Sequence, residues 1–313
     1  MMIKEIRKIG VVGLGRMGRR LSQRLKDQGY IVTGFDISDD NKNEFLNAGM
    51  DAVDSLKELC AKFDSTRIIM ILVPSGSAVD KTIDGLIQYL NKEDIVLDCG
   101  NSLYTDSIAR ANKLKKTNVH FLDVGTSGGV SGARNGPCLT IGGSKDVYES
   151  IQYFFQDLAQ ENGYYYIGPA GWGHMVKIIH NGIEYGILQA IGEGLNLIKK
   201  VADKKNVEID ISQICDVWCN GSIIESRLMH DAVTAMDMLS KNQDLIEGKI
   251  GGGETGKWAM EIAKKNDVPT PGLKASLEYR EKTQLHPDYI GKIIAAIRNV
   301  FGMHELSAKK PDV

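Results

Sequence analysis

Residues Gly13-Leu14-Gly15-Arg16-Met17-Gly18 spell GxGxxG, and their setting narrows the fold of this chain more than any other feature. A β-branched run, Ile9–Val12, precedes them. A helical stretch, Arg19–Gln28, follows, Gly29 closes it, and Tyr30–Phe35 forms a second apolar run. That is the order of a βαβ unit. In such a unit Gly13 allows the tight turn, Gly15 lets the backbone approach a pyrophosphate, and Gly18 lets helix and strand pack closely. The helix start offers N–H groups and a positive dipole end to phosphates. Leu14, Arg16 and Met17 complete the loop as candidate cofactor contacts, with Val73 and Asn101 further along the chain. The plain alternative is a glycine-rich turn that binds nothing.

The same alternation continues. Apolar runs recur at Ile68–Val73, Ile95–Leu97, Val119–Val124, Leu139–Gly142 and Tyr164–Ile167, with helical segments among them. This predicts a Rossmann-like, doubly wound and mostly parallel α/β domain over residues 1–170. Beyond it the texture is helical: Gly173–Ala202, Asp210–Met238, Thr255–Asn266, Leu273–Lys282 and Asp288–Phe301. Residues 171–313 are therefore expected to form an all-α domain. No low-complexity linker separates the halves, so a shared long helix is expected rather than a tether. The polar tail from Ser307 is expected to fray.

Composition removes other classes. Lys plus Arg is 38 and Asp plus Glu is 40, so a net charge of −2 leaves no electrostatic footprint for nucleic acid or an anionic membrane. The longest apolar run, Ile68–Val73, is far shorter than the roughly 20 residues that span a bilayer. Five scattered cysteines without a CxxC argue against a disulfide framework or a zinc site, and point to a reducing cytoplasm. No metal is expected.

Asp36 ends the second apolar run. An acidic residue there normally accepts the ribose hydroxyls of NAD and repels a 2′-phosphate. NAD is the expected cofactor, with NADP less favoured. The alternative is that Asp36 is a turn residue and that Arg16 or Lys42 receives a 2′-phosphate.

In the first helix of the second half, Lys177, His180, Asn181, Glu184 and Tyr185 stand at i, i+3, i+4, i+7 and i+8, on one face. Ile178, Ile179, Ile183, Ile187 and Leu188 fall mostly on the others, which makes the helix otherwise core-like. Gly182 and Gly186 would admit a close neighbour. One Lys, one His, one Asn, one Glu and one Tyr in a ladder suit an acid–base site, in which Lys and Glu need shifted pKa values. A solvated face is the bland alternative.

Together these residues resemble the decarboxylating 6-phosphogluconate dehydrogenase family. Asp98-Cys99-Gly100-Asn101-Ser102 is similar to its DGGNS loop. The run from Gly125 to Ala133 resembles its substrate loop, Thr255-Gly-Lys-Trp258 its TGKW motif, and Arg298 to His304 its RxxFGxH signature. The length suggests the short, NAD-preferring form. The resemblance implies that Lys177 is the general base and Glu184 the general acid. It also implies that Asn101, Ser127, Gly128, Gly129, His180 and Asn181 hold the carboxylate and hydroxyls of 6-phosphogluconate. Tyr185, Thr255, Arg280 and Arg298 would hold its 6-phosphate, and His304 a hydroxyl or phosphate oxygen. In the family the RxxFGxH segment reaches into the neighbouring subunit's site, which implies a homodimer or homotetramer with a composite active site. By spacing alone, Arg298 could equally be a surface ion pair.

Two departures stand out. Gly252-Gly253-Glu254 replace a Gln-Lys-Gly tripeptide whose lysine binds phosphate in the long form, so the arginines or Lys257 must compensate. Cys99 replaces a glycine, which matters only if that backbone needs a positive φ. The nearest rival is a non-decarboxylating β-hydroxyacid dehydrogenase of the 3-hydroxyisobutyrate type, which needs no second acid. A non-catalytic NAD-binding regulator would be expected to lack Lys177 or Glu184.

Overall fold

Parallel strands covered by helices on both sides read as unbroken apolar runs. Ile68–Ile71 and Ile95–Leu97 are such runs, and every residue in them is buried. The computed structural model, which describes residues 6–242 and 245–307, places them at the centre of an eight-stranded sheet. Beyond Ser307 the expected tail lies outside the described residues. The chain forms two compact units, one ending at Lys177 and the other starting at Ile178.

The strands of the first unit are β1 (Lys8–Val12), β2 (Ile31–Phe35), β3 (Asp51–Val53), β4 (Ile68–Ile71), β5 (Ile95–Asp98), β6 (His120–Ser127), β7 (Cys138–Gly143) and β8 (Tyr164–Gly168). Its helices are α1 (Arg16–Asp27), α2 (Asp39–Asn47), α3 (Leu56–Ala61), α4 (Ser77–Ile87), α5 (Tyr104–Lys115), α6 (Gly129–Asn135), α7 (Lys145–Ser150) and α8 (Gln152–Leu158). The strand order is β3-β2-β1-β4-β5-β6-β7-β8. The order reverses between β1 and β4, which is where a doubly wound sheet binds its ligand. Every pairing is parallel except β6 with β7. Their connection, Gly128–Pro137, is too short for the crossover that parallel strands require. Two apolar clusters cover the two faces, one led by Leu14, Leu25 and Phe154, the other by Leu59, Val79 and Ile83.

A 34-residue helix, α9 (Trp172–Lys205), runs from the end of the first unit into the second. The second unit continues with α10 (Ile211–Trp218), α11 (Arg227–Asn242), α12 (Glu254–Lys265), α13 (Pro271–Leu285) and α14 (Tyr289–Gly302). Its core joins Leu188 and Leu195 of α9 to Ala232, Met236 and Leu239 of α11 and Ile293 and Ile297 of α14.

Two expectations need correction. The helix expected over Asp210–Met238 is two helices, because Gly221 takes φ +94° and turns the chain after α10. Strand β3 was not anticipated; at three residues, Asp-Ala-Val, it is too short to show alternation.

Candidate functional site

The glycine loop is built as its sequence requires. Gly13 takes φ +96° and its N–H donates to the Phe35 carbonyl at 2.9 Å. A Cβ there would lie 2.5 Å from the Leu72 carbonyl oxygen. Gly18 packs directly on the Gly13 carbonyl, which leaves no room for a side chain. At Gly15, the N-cap of α1, a Cβ would have no neighbour within 4 Å, and no side chain caps the helix. Open backbone at an uncapped helix start is the cradle a pyrophosphate needs, so these residues fit a dinucleotide. Arg16 is exposed at the loop's edge, and Met17 packs against the core. Leu14 is fully buried, so only its backbone could meet a cofactor.

That backbone already has a partner. Asp36 Oδ2 accepts from Leu14 N at 2.7 Å and from Asn41 Nδ2 at 3.2 Å, and Oδ1 accepts from Ser38 N at 2.8 Å. A carboxylate has about four lone-pair sites, so one position on Oδ1 remains for a ribose hydroxyl. Lys42, the alternative receiver of a 2′-phosphate, is held by Asp39 at 2.9 Å and Asp54 at 2.6 Å.

Asn101 stands exposed on a loop anchored from below by a buried network. Asp98 Oδ2 accepts from Ser102 Oγ at 2.8 Å and from Arg110 Nη1 at 3.2 Å. Arg110 also reaches Asp80 at 2.8 Å and the Gly76 carbonyl at 3.1 Å. Val73 lies below, with a Cγ 3.1 Å from where a Gly13 Cβ would be. Cys99 is absent from the positive-φ residues and is buried, so its side chain costs this loop nothing. Burial pushes its thiol well up. Sequence reasoning missed Arg110, although a charge on the buried stripe Ser107–Arg110–Leu114 of α5 was the available signal.

Asp123, fully buried on β6, was also missed. Its carboxylate accepts from Gly171 N at 2.7 Å and His174 N at 2.9 Å, at the first turn of α9. Ser107 Oγ lies 2.7 Å from His174 Nδ1. One turn later, Lys177 Cβ would sit 2.5 Å from a Cβ on Gly125. The capped helix start thus sets Lys177 against β6 at Gly125.

Along α9 the polar ladder exists, but its apolar surroundings differ from expectation. Ile178 and Leu188 are buried, whereas Ile179, Ile183 and Ile187 are 41%, 60% and 42% exposed. The 34-residue helix is longer than the core beneath it, so one face stays uncovered in the chain. Gly182 admits Ala259 and Leu273, each about a contact distance away, but Gly186 faces open space. His180 Nδ1 lies 3.3 Å from Asn181 Oδ1.

The second unit gathers the remaining residues. Tyr185 OH lies 3.0 Å from Thr255 Oγ1, and the Arg280 guanidinium stacks 3.9 Å above the Tyr185 ring. Arg280 and Arg298 are both buried, and the charge of Glu184 acts on both. Arg280 donates from Nη1 to the Gly251 carbonyl at 2.9 Å, while its Nε has no partner. Burial, then the charge of Arg298, draws the Arg280 pKa down to about 10. Burial likewise lowers that of Arg298, and the charge of Glu184 offsets part of the fall at both. Lys257 is exposed and paired with Glu281 at 2.9 Å, so the arginines are the cations of this pocket. His304 is exposed and meets the Phe301 ring edge-on.

Arg298 is buried beside Arg280 of its own chain, because α14 packs into the core of the same unit, so the surface ion pair is not what it forms.

A Rossmann unit with an open dinucleotide cradle, continued by one helix into an all-α unit, defines an NAD(P)-dependent oxidoreductase. Comparison with known proteins narrows this. Residues 8–168 match the NAD binding domain of 6-phosphogluconate dehydrogenase, and residues 173–209 and 192–312 match the C-terminal domain of that enzyme. YqeC of Bacillus subtilis is 38% identical over 96% of this chain and 100% of its own. An NAD(+)-dependent, decarboxylating 6-phosphogluconate dehydrogenase of Haloferax volcanii is 33% identical over 96% of this chain and 99% of its own. The structure of Plasmodium falciparum 6-phosphogluconate dehydrogenase superposes with a TM-score of 0.79 at 27% identity, covering 93% of this chain and 70% of that one. The chain belongs to the short-form 6-phosphogluconate dehydrogenase family.

Proposed function

We propose that the protein oxidises and decarboxylates 6-phospho-D-gluconate to D-ribulose 5-phosphate and CO2, with NAD preferred over NADP. The observation that carries this reading is the pair of buried guanidiniums, Arg280 and Arg298, side by side at the Gly252 loop. Two such charges in one pocket call for a dianionic ligand group. A short hydroxy acid without phosphate would leave them uncompensated.

When bound, the nicotinamide ring accepts a hydride. Lys177 Nζ, neutral before the step, takes the proton from the C3 hydroxyl as the C3–H electron pair departs. The product is a 3-keto acid. The C1–C2 bond then breaks, CO2 leaves, and the electron pair moves toward the C3 oxygen, where the Lys177 ammonium returns its proton. Glu184 then delivers a proton to the carbon that becomes C1 of the product while Lys177 takes back the proton of the C3 hydroxyl, so the enediol becomes the 2-ketone of ribulose 5-phosphate and atoms and charge balance. Asn101, Ser127, Gly128 and Gly129 hold the substrate's polar end, joined by His180 and Asn181. Tyr185, Thr255, Arg280 and Arg298 hold the phosphate, and His304 a substrate oxygen.

NAD preference rests on Asp36, whose remaining acceptor position suits a hydroxyl and opposes a phosphate. A homodimer or homotetramer with a composite active site is the expected assembly. The test is to mix the protein with 6-phosphogluconate and either cofactor, following reduced nicotinamide and CO2 together. Equal yields of both, faster with NAD, support the reading. Reduction without CO2 moves the chain to the non-decarboxylating β-hydroxyacid dehydrogenases, and no turnover overturns the substrate assignment.

A further inference from the structure

We propose that Thr140 is a positioning residue for Lys177, acting through the helical carbonyl to which the Lys177 backbone is bonded. That Lys177 serves as a base rests on the reading above; the clamp on its turn of helix does not.

The first turn of α9 lies at backbone contact on the antiparallel pair β6–β7, and glycines permit this. A Cβ on Gly173 would run into the Asp123 carbonyl and lie 2.6 Å from the Thr140 carbonyl oxygen. One on Gly142 would strike both oxygens of the Asp123 carboxylate, at 2.6 and 2.9 Å. One on Gly125 would lie 2.5 Å from Lys177 Cβ. On the other side Gly171, at φ +93°, sits as closely on Tyr104 and Ile108 of α5. A seat walled by backbone has little slack, because no flexible side chain is there to give way.

Polar groups then fix the turn. Asp123 takes the Gly171 and His174 N–H groups, one on each carboxylate oxygen. Donors at a helix start have no acceptor within the helix, so this is ordinary capping. Thr140 acts differently. Its Oγ1 donates to the Gly173 carbonyl at 2.9 Å. In an α-helix that carbonyl also accepts from the N–H four residues on, which is that of Lys177. One oxygen therefore holds both Thr140 and the Lys177 backbone. The Gly125 carbonyl, directly across the strand pair and 3.4 Å away, is the weaker acceptor for the same hydroxyl proton. Threonine is stiff at χ1, so few rotamers compete with the bond.

A base must come within hydrogen-bond reach of the proton it takes, and a misplacement of about 1 Å can cost about a hundredfold in rate. A lysine nitrogen ends a long flexible stem, so its reach depends on where the Cα is held. Thr140 holds it from the adjacent strand.

Thr140→Val keeps the branched shape and removes the hydroxyl; Thr140→Ser gives it back. Amide hydrogen exchange over residues 171–178, compared with 191–205 of the same helix, is read first and needs no substrate. Turnover of 6-phosphogluconate with NAD is read second. In Thr140→Val, exchange should quicken about tenfold in 171–178 alone. Its kcat should fall about 10- to 100-fold, with KM and melting temperature near wild type. Thr140→Ser should restore both. Unchanged turnover in Thr140→Val overturns the proposal, and so does a fall that Thr140→Ser does not reverse. Exchange that quickens evenly along α9 also overturns it, because the hydroxyl then supports the helix at large. A wild type that does not turn over the sugar acid rejects the proposed reaction, and the exchange comparison alone then decides the clamp. Should Thr140→Val not fold, Thr140→Cys, whose thiol is a weak donor, takes its place in both measurements.

Discussion

Arg110 in the first unit and the Arg280–Arg298 pair in the second are buried to nearly the same degree, 3% exposed against 4% and 7%. Their surroundings differ completely. Arg110 meets Asp98, Asp80, Ser102 and the Gly76 carbonyl, so its charge and its donors are spoken for inside the fold. Arg280 and Arg298 meet an aromatic face, a backbone carbonyl, each other and the charge of Glu184. Burial is therefore no guide to role. A buried guanidinium bound directly by carboxylates holds a loop, whereas two buried guanidiniums side by side hold a place for an anion.

The largest effect is expected where a side chain meets reacting atoms. Lys177→Met should lower kcat by about 10² to 10⁴-fold while leaving NAD affinity and thermal stability near wild type. Unchanged turnover would remove Lys177 as the base. Next comes Arg110→Met, which strands the fully buried Asp98 carboxylate. It should destabilise the protein by about 3–5 kcal/mol, measured by chemical unfolding. Arg298→Met should do the reverse: substrate KM rises about 10- to 100-fold, and the melting temperature stays level or increases, because one of two adjacent buried positive charges has left the interior. If Arg298→Met proves as destabilising as Arg110→Met, the distinction between the two kinds of arginine fails. Asp36→Ala falls between them. It orphans the donors of Leu14, Ser38 and Asn41, costing about 1–3 kcal/mol, and should narrow the ratio of NAD to NADP turnover.

Much of this was legible in the sequence, for local reasons. The glycine loop, the alternating strands and the helical ladder of α9 are patterns over a few residues, and each dictates a backbone shape. Long-range pairing was not legible. Nothing near Asp123 indicates that its carboxylate caps a helix 48 residues later. Arg110 announces itself only as a charge on an apolar stripe; its partners come from other elements. Arg298 carries a family motif, but which chain's pocket it enters depends on how α14 packs, and the motif does not encode that. The exposed isoleucines of α9 look core-like in sequence because periodicity reports an apolar face without reporting what covers it.

The smallest expected effect tests the two arginines' closeness most directly. Phosphate binding should strengthen as pH rises through the second ionisation of inorganic phosphate, and then level off. It should weaken again as pH passes about 10, where Arg280 begins to lose its proton. The depressed value has burial as its first cause and Arg298 as its second. In Arg298→Met the first cause remains and the second is gone, so the protonated form of Arg280 is favoured and the upper limb should move to higher pH. Calorimetric titrations with inorganic phosphate from pH 5 to 11 would read both limbs. An upper limb that stays in place would mean that Arg298 does not act on Arg280 across the Gly252 loop, and that the two charges serve separate purposes.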